Sequence, residues 1–271
     1  MPELPEVETI ARGLAGPLTG QRIAAVCVNL PKVALVSGER AFTTELTGER
    51  IAGVQRRGKF IVLSLRSGRS LVVHLRMTGR LILQPAGQQG RYPHTHVKLR
   101  LGDGSHVCFA DVRQFGRMRL VEPEEPWASE LGCEPLSQDF TAERFIDILA
   151  GRTTPVKVLL LDQRRIAGIG NIYACEALWQ ARIRPGTPAK VLTKPAIRRL
   201  REALAEVLNR AIEMGGSSVD DYVNAQGLQG AFQNVLSVYG REGQPCRRCG
   251  RAVVRTVIAQ RGTWWCRKCQ K

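Results

Sequence analysis

The chain has no apolar run long enough to span a bilayer and no basic amphipathic anchor, so a membrane-embedded protein is not expected. No secretory leader is expected, since Glu3, Glu6 and Glu8 stand where a leader carries basic and then apolar residues. No internal repeat is present. Carboxylates are scarce: 24 Asp and Glu face 40 Lys and Arg, a net charge of +16. The resulting isoelectric point near 10.2 describes a surface that attracts polyanions, nucleic acid first among them. A cytoplasmic protein is expected. Its 271 residues, 44% hydrophobic and 24% charged, suffice for two domains with separate cores.

Of the eight cysteines, Cys27, Cys108, Cys133 and Cys175 are scattered among apolar neighbours and read as small buried hydrophobes. The other four form Cys246-x-x-Cys249 and Cys266-x-x-Cys269 with sixteen residues between the pairs, a four-thiolate zinc pattern. Two disulfides are the alternative, which the expectation of no secretory leader disfavours. Residues 252–259 and 263–265 are expected to form a hairpin with Gln260-Arg261-Gly262 at its tip. From 241 to 271 there are seven Arg and two Lys against one Glu, or +8; Zn2+ with four thiolates adds −2 and leaves +6. A structural zinc under a basic hairpin is a phosphate-binding device. A solvated charge face is the plainer alternative, but it does not explain an arginine at a glycine-containing tip.

Helical spacing of Leu4, Val7, Ile10, Ala11 and Leu14 predicts a helix over 3–14. Strand-like runs follow at 23–30, 60–65, 70–75, 81–83, 96–101, 107–109 and 118–121, separated by turn signals such as Ser67-Gly68 and Gly102-Asp103-Gly104. They suggest a β-sandwich or barrel. From Thr141 the period becomes helical, with helices expected at 141–150, 155–163, 171–181 and 195–214. Thr154 would cap Pro155, and Gly215-Gly216 would stop the last helix. The Gly/Ser/Gln-rich stretch 215–229 has little to bury. Within 162–171 the glycines let the backbone turn and bring free amides to a helix start. That is an anion site to which Asn171 adds a side-chain donor; an ordinary interhelical turn is the competing interpretation.

Pro2 follows an initiator Met1 that a small second residue allows to be removed. Removal exposes a secondary amine, and an α-amine has a pKa near ~8, far nearer neutrality than lysine. Such amines attack carbon electrophiles to give Schiff bases. The helix dipole favours the neutral amine, whereas Glu3 and Glu6, three apart on one face, oppose that effect. The two carboxylates also suit acid and base roles, although glutamates at a helix start are ordinary capping chemistry.

Met-Pro-Glu-Leu-Pro-Glu-Val-Glu-Thr at 1–9, Leu161-Asp162-Gln163 with Gly168-Ile169-Gly170-Asn171-Ile172-Tyr173-Ala174, Val238-Tyr239-Gly240-Arg241-Glu242-Gly243 and the four-cysteine finger occur in order across essentially the whole chain. Together they resemble formamidopyrimidine-DNA glycosylase, of the Fpg/Nei family of bifunctional DNA glycosylases. The resemblance implies an α+β fold: an N-terminal β-sandwich catalytic domain with an N-terminal helix (1–131), a linker (132–138), a helix-two-turns-helix DNA-binding domain with a lesion-reading loop (139–240), and a four-cysteine zinc-finger hairpin (241–271).

It also implies base-excision repair of oxidised purines, 8-oxoguanine and formamidopyrimidines, in duplex DNA. A Schiff base forms on Pro2, and β,δ-elimination (AP lyase) cuts the strand. In that scheme Pro2 attacks the sugar C1′, Glu3 protonates the sugar, Glu6 supports the site, and Lys59 and Arg261 contact phosphate during catalysis. His94, Arg113 and Asn171 match DNA contacts, as do Arg152 and Thr153 before a helix start. Met77 and Phe115 match apolar wedges that fill the space left by an extruded base, where an unaided interpretation makes both core. Cys246, Cys249, Cys266 and Cys269 hold one structural Zn2+. The partner is damaged double-stranded DNA and the protein a monomer, associated with the nucleoid through DNA. Gln226-Gly227 departs from a common Asp-Gly, and Ala231 from a usual aromatic. Two alternatives stay open: an endonuclease VIII-like glycosylase for oxidised pyrimidines, which typically has Gly where this chain has Leu4, and a non-catalytic zinc-containing nucleic-acid-binding protein.

Overall fold

The N-terminal periodicity is realised as α1 (Leu4–Leu18), which runs past its expected end because Leu18 is also buried on the same face. A computed structural model describes residues 1–36, 41–88, 92–219 and 221–271. Its contacts divide the chain into two compact units, Met1–Ser129 with Met214–Gln233, and Glu130–Glu213 with Asn234–Lys271. The stretch after the long helix, expected as part of the helical region, therefore packs in the first unit.

That unit is a β-sandwich. One sheet has the order β1 (Ile23–Val28), β7 (Thr95–Leu101), β8 (His106–Asp111), β6 (Gly79–Gln84). The other runs β2 (Ala34–Leu35), β9 (Arg117–Val121), β5 (Ser70–His74), β4 (Phe60–Leu65), β3 (Ile51–Arg57). Leu63, Leu71 and Val73 of one sheet share a core with Leu81, Val97, Leu99 and Phe109 of the other, and α1 adds Val7, Ile10, Leu14 and Leu18. Each such side chain contributes about 1.5–3 kcal/mol when fully buried. Among the strands and α-helices of the described residues, β2, β3 and the short helix α2 (Phe42–Leu46) were not expected. The sequence of β3, Ile-Ala-Gly-Val-Gln-Arg-Arg, lacks clear alternation and is held by its pairing with β4. Cys108, Cys133 and Cys175 are buried as expected, but Cys27 is exposed because it lies on the outer face of β1.

In the second unit α3 (Ala142–Leu149), α4 (Val156–Leu161), α5 (Asn171–Gln180) and α6 (Lys194–Glu213) enclose a core that includes Phe140, Phe145, Leu160, Leu178, Leu200 and Leu204. Thr141 caps α3 by accepting from the Arg144 amide at 3.1 Å. The expected Thr154 cap does not form. Pro155 is itself the N-cap of α4 and has no side-chain donor or acceptor to close that end. Beyond α6, Gly215 and Gly216 adopt φ of +74° and +84°, the left-handed geometry that ends a helix. The hairpin of β10 (Val254–Ile258) and β11 (Arg261–Trp265) pairs Ile258 with Arg261. Its turn is therefore Ala259-Gln260, both at positive φ, and Arg261 begins the return strand rather than sitting mid-tip.

Candidate active site and nucleic-acid interface

Within the sandwich unit, a capping box closes the start of α1. The Glu3 amide donates to Glu6 Oε2 at 2.8 Å, and the Glu3 side chain accepts from the Glu6 amide. These glutamates are not solvated caps, since they are 4% and 2% exposed, and Pro2 beside them is buried. The other Glu6 oxygen accepts the Ser217 amide at 2.8 Å, and the Tyr222 hydroxyl donates to the Glu6 carbonyl at 3.3 Å. Burial, reinforced by the Glu6 carboxylate, holds the Tyr222 phenol above its ordinary pKa, so it remains a donor. The glycine-rich stretch is thus fastened to the helix start. Position 220 of that stretch lies outside the described residues. Ser217 and Tyr222 were not expected as site residues, because nothing local in the sequence links them to a helix 211 and 216 residues away.

Lys59 follows Gly58 in the β3–β4 turn, where Gly58 adopts φ +57°. It is 7% exposed, unlike an ordinary strand-edge lysine. His74, also not anticipated, pairs with Phe60 across β4–β5, its ring 4.6 Å from the Phe60 ring. Burial, together with the charges of Arg76 and Lys59, lowers its pKa to about 3, so the imidazole is neutral and its Nδ1 accepts the Arg76 amide at 2.9 Å. Met77 and Phe115 are 43% and 49% exposed and so are not core. The Arg113 guanidinium lies 5.0 Å from the Phe115 ring centroid. His94 is held at φ +56° just before β7.

In the second unit the Gly262 carbonyl accepts from Asn171 Nδ2 at 3.0 Å and from Lys157 Nζ at 3.1 Å, and Lys157 also reaches Thr263 Oγ1 at 2.6 Å. Asn171 and Arg261 are thereby brought together, but the Asn171 donor is directed at the hairpin rather than outward, and its Oδ1 is buried without a partner among the described residues. The turn before α5 is stapled by Gln163, whose Oε1 takes the Gly168 amide at 2.8 Å, so that amide is not free as expected. Arg152 and Thr153 are exposed in the α3–α4 connection. Arg152 Nε donates to the Ile148 carbonyl, and neither residue bonds to Asn171 or Arg261.

The four expected cysteines converge. All four Sγ atoms lie within 4.8 Å of one another, with Cys246–Cys269 at 4.0 Å and Cys249–Cys266 at 3.4 Å. Tetrahedral Zn–S bonds of about 2.3 Å require sulfurs about 3.8 Å apart, so this donor set fits one structural zinc. Trp179 Nε1 donates to Cys246 Sγ at 3.3 Å, the outer bond that orients a metal-bound thiolate. Glu176, 4% exposed, accepts the amides of Ser237, Val238 and Tyr239 at 2.8, 2.9 and 2.9 Å and pins the segment leading into the finger. Burial raises its pKa even though these amides favour the anion.

Family models match three consecutive parts: the formamidopyrimidine-DNA glycosylase N-terminal domain at 1–118, the formamidopyrimidine-DNA glycosylase H2TH domain at 131–223, and a zinc finger found in FPG and IleRS at 243–271. The chain belongs to the formamidopyrimidine-DNA glycosylase family. Among curated relatives, the formamidopyrimidine-DNA glycosylase of Heliobacterium modesticaldum is 47% identical, with both chains fully covered, and that of Roseiflexus is 45% identical, again over both full lengths. The solved MutM (FPG) protein of Thermus thermophilus matches with TM-score 0.87 at 45% identity over 99% of this chain and 98% of that one. The Lactococcus lactis Fpg bound to abasic-site DNA matches with TM-score 0.91 at 36% identity over 99% of each. Members of the formamidopyrimidine-DNA glycosylase family are DNA glycosylases with AP lyase activity, and this chain is an enzyme of that kind with a structural zinc finger. Among the described residues no helix is long and apolar enough to cross a membrane.

Proposed function

We propose that the protein excises oxidised purines, 8-oxoguanine and formamidopyrimidines, from duplex DNA through a Schiff base on Pro2 and then cleaves the strand by β,δ-elimination. The observation that carries this reading is the pair of buried carboxylates at the start of α1, immediately after a buried Pro2. Once Met1 is removed, the Pro2 nitrogen attacks C1′ as the base departs, and Glu3 donates the proton that opens the sugar ring. Glu6 is held by two backbone amides and fixes Glu3 and the Ser217 segment around the reacting carbon. The buried Ser217 hydroxyl, without a partner among the described residues, is available to the flipped base.

Lys59 and Arg261 bind the phosphates flanking the lesion; His94, Arg113, Asn171, Arg152 and Thr153 supply further DNA contacts. The exposure of Met77 and Phe115 supports their use as wedges in the vacated stack. The catalytic sandwich is built on 1–131, the DNA-binding region spans 139–240 with its lesion-reading stretch packed in the sandwich unit, and the finger is 241–271. The protein acts as a cytoplasmic monomer.

Lesion choice is tested by single-turnover excision from otherwise identical duplexes carrying 8-oxoguanine, a formamidopyrimidine or an oxidised pyrimidine. Preferential release of the two purine lesions is expected. Preference for the pyrimidine lesion would place the protein with the endonuclease VIII-like enzymes, and binding without release would leave a passive DNA-binding protein.

A further inference from the structure

Asp111 ends β8 at 1% exposure and has no part in the chemistry above, yet every polar group it owns is engaged. Its Oδ1 accepts the Thr78 hydroxyl at 2.5 Å and the Arg113 amide at 3.2 Å, while Oδ2 accepts the Gly116 amide at 2.7 Å. Its own amide donates to the His94 carbonyl at 3.1 Å, and its carbonyl faces His96 Nε2 at 2.7 Å and accepts the Gln114 amide at 3.2 Å.

These bonds join two loops. One links β5 to β6 and carries Met77; the other links β8 to β9 and carries Arg113 and Phe115. Gly79, at the end of the first loop, is the direct ladder partner of Asp111. The loops cannot relax sideways. A Cβ on Gly79 would lie 2.3 Å from the Leu75 carbonyl oxygen, and one on Gly116 would lie 2.6 Å from the Phe109 ring. Each loop also holds a non-glycine residue in the left-handed region, Arg76 at φ +54° and Gln114 at φ +59°, a conformation that persists only where surrounding bonds enforce it. Met77 and Phe115 are themselves exposed, so burial of their own side chains does not fix their positions.

We propose that Asp111 is a positioning residue: through Thr78 and the Arg113 and Gly116 amides it holds Met77, Arg113 and Phe115 at one fixed spacing for insertion into a base stack. The inference rests on the wedge assignment under Proposed function. A carboxylate suits the task because it accepts at both oxygens and donates at neither. In Asp111→Asn an amide NH2 must face either the Gly116 amide or the Arg113 amide, neither of which can accept, so one backbone bond to the second loop is lost whichever way the side chain turns, although the Thr78 hydroxyl can turn to accept.

The test measures single-turnover excision of 8-oxoguanine from a fully paired duplex and from the same strand with the lesion in an unpaired bubble. Thr78→Val, Thr78→Ser, Asp111→Asn, Met77→Ala and Phe115→Ala are compared with the unmodified protein, and a melting curve is run for each. Thr78→Val keeps the shape but removes the donor to Asp111, together with the Oγ1 that shares the Arg113 amide at 3.2 Å. Excision from the paired duplex is expected to fall roughly tenfold or more, the loss of one hydrogen bond to a charged acceptor. The defect should shrink in the bubble, where less unstacking is needed. Thr78→Ser, which keeps the hydroxyl, should restore activity, and Asp111→Asn should reproduce the paired-duplex defect. Full activity of Thr78→Val and Asp111→Asn beside defective Met77→Ala and Phe115→Ala would overturn the role of Asp111 and leave the wedge intact. Wild-type behaviour of Met77→Ala and Phe115→Ala would overturn the wedge and this inference with it. Equal losses on both substrates, tracking lowered melting temperatures, would make Asp111 merely structural.

Discussion

Gly215 and Gly216 both have positive φ, yet the structure separates them. A Cβ added to Gly215 would have as its nearest atom the Cα of Gly230 at 3.7 Å, an ordinary contact. One added to Gly216 would stand 3.0 Å from Glu6 Oε1, the oxygen that accepts the Ser217 amide, and 3.0 Å from the Tyr222 ring. Gly215→Ala therefore carries only the left-handed backbone cost, roughly 1–2 kcal/mol, offset by about 0.4–1 kcal/mol from a stiffer unfolded chain. Gly216→Ala carries the same cost and must also displace a buried carboxylate. The hydrogen bond at risk has a charged acceptor and is worth about 1.5–3 kcal/mol. If that difference falls on the catalytic arrangement, excision by Gly216→Ala should be roughly 10- to 100-fold slower than by Gly215→Ala. Urea unfolding run beside single-turnover excision separates the two contributions. Equal stability and equal excision for the two variants would show that Glu6 is not held by this segment in the way described.

Replacing Cys249 by Ser should release zinc and disorder the finger, because metal binding there is folding energy; the sandwich and helices keep their own cores, so circular dichroism should change little while DNA affinity collapses. Unchanged affinity in the zinc-free protein would make the finger dispensable for binding. Arg261→Ala should weaken binding to every sequence and lower the salt slope by about one unit, and an unchanged slope would remove its phosphate contact. His74 has a folded pKa depressed to about 3 from 6.5, so the unfolded state takes up its proton first. The stability it confers is present above pH 6.5 and is lost as pH falls toward 3. His74→Asn keeps an acceptor for the Arg76 amide and should flatten that acid limb; an identical pH profile would show that the half-buried His74 is not held neutral by the fold.

The parts of this molecule legible in its sequence are those whose cause is local. The zinc ligands are two tight knuckles, and the α1 face repeats at helical spacing, so both could be read without a partner. Thr141 as a cap and Gly215-Gly216 as a stop are likewise decided within a turn of chain. What stayed hidden depends on residues far apart. Lys157 looks like any helix lysine until it meets Thr263, 106 residues on. Asp111 looks like a strand end until the Met77 loop comes beside it. Resemblance brought Met77 and Phe115 forward against their apolar character, and their exposure agrees with a surface role. Local reasoning failed where a neighbour took the group first: Pro155 rather than Thr154 is the N-cap of α4, the Asn171 donor is engaged by the Gly262 carbonyl, and the Gly168 amide by Gln163.

The most direct test of the central claim is to incubate the enzyme, with its N-terminus confirmed by mass, with an 8-oxoguanine duplex in the presence of borohydride and to sequence the trapped peptide. A covalent DNA adduct on the peptide beginning with Pro2 is expected, absent when Met1 is retained or the terminus is acetylated. An adduct on Lys59, or full excision with Met1 still in place, would contradict it.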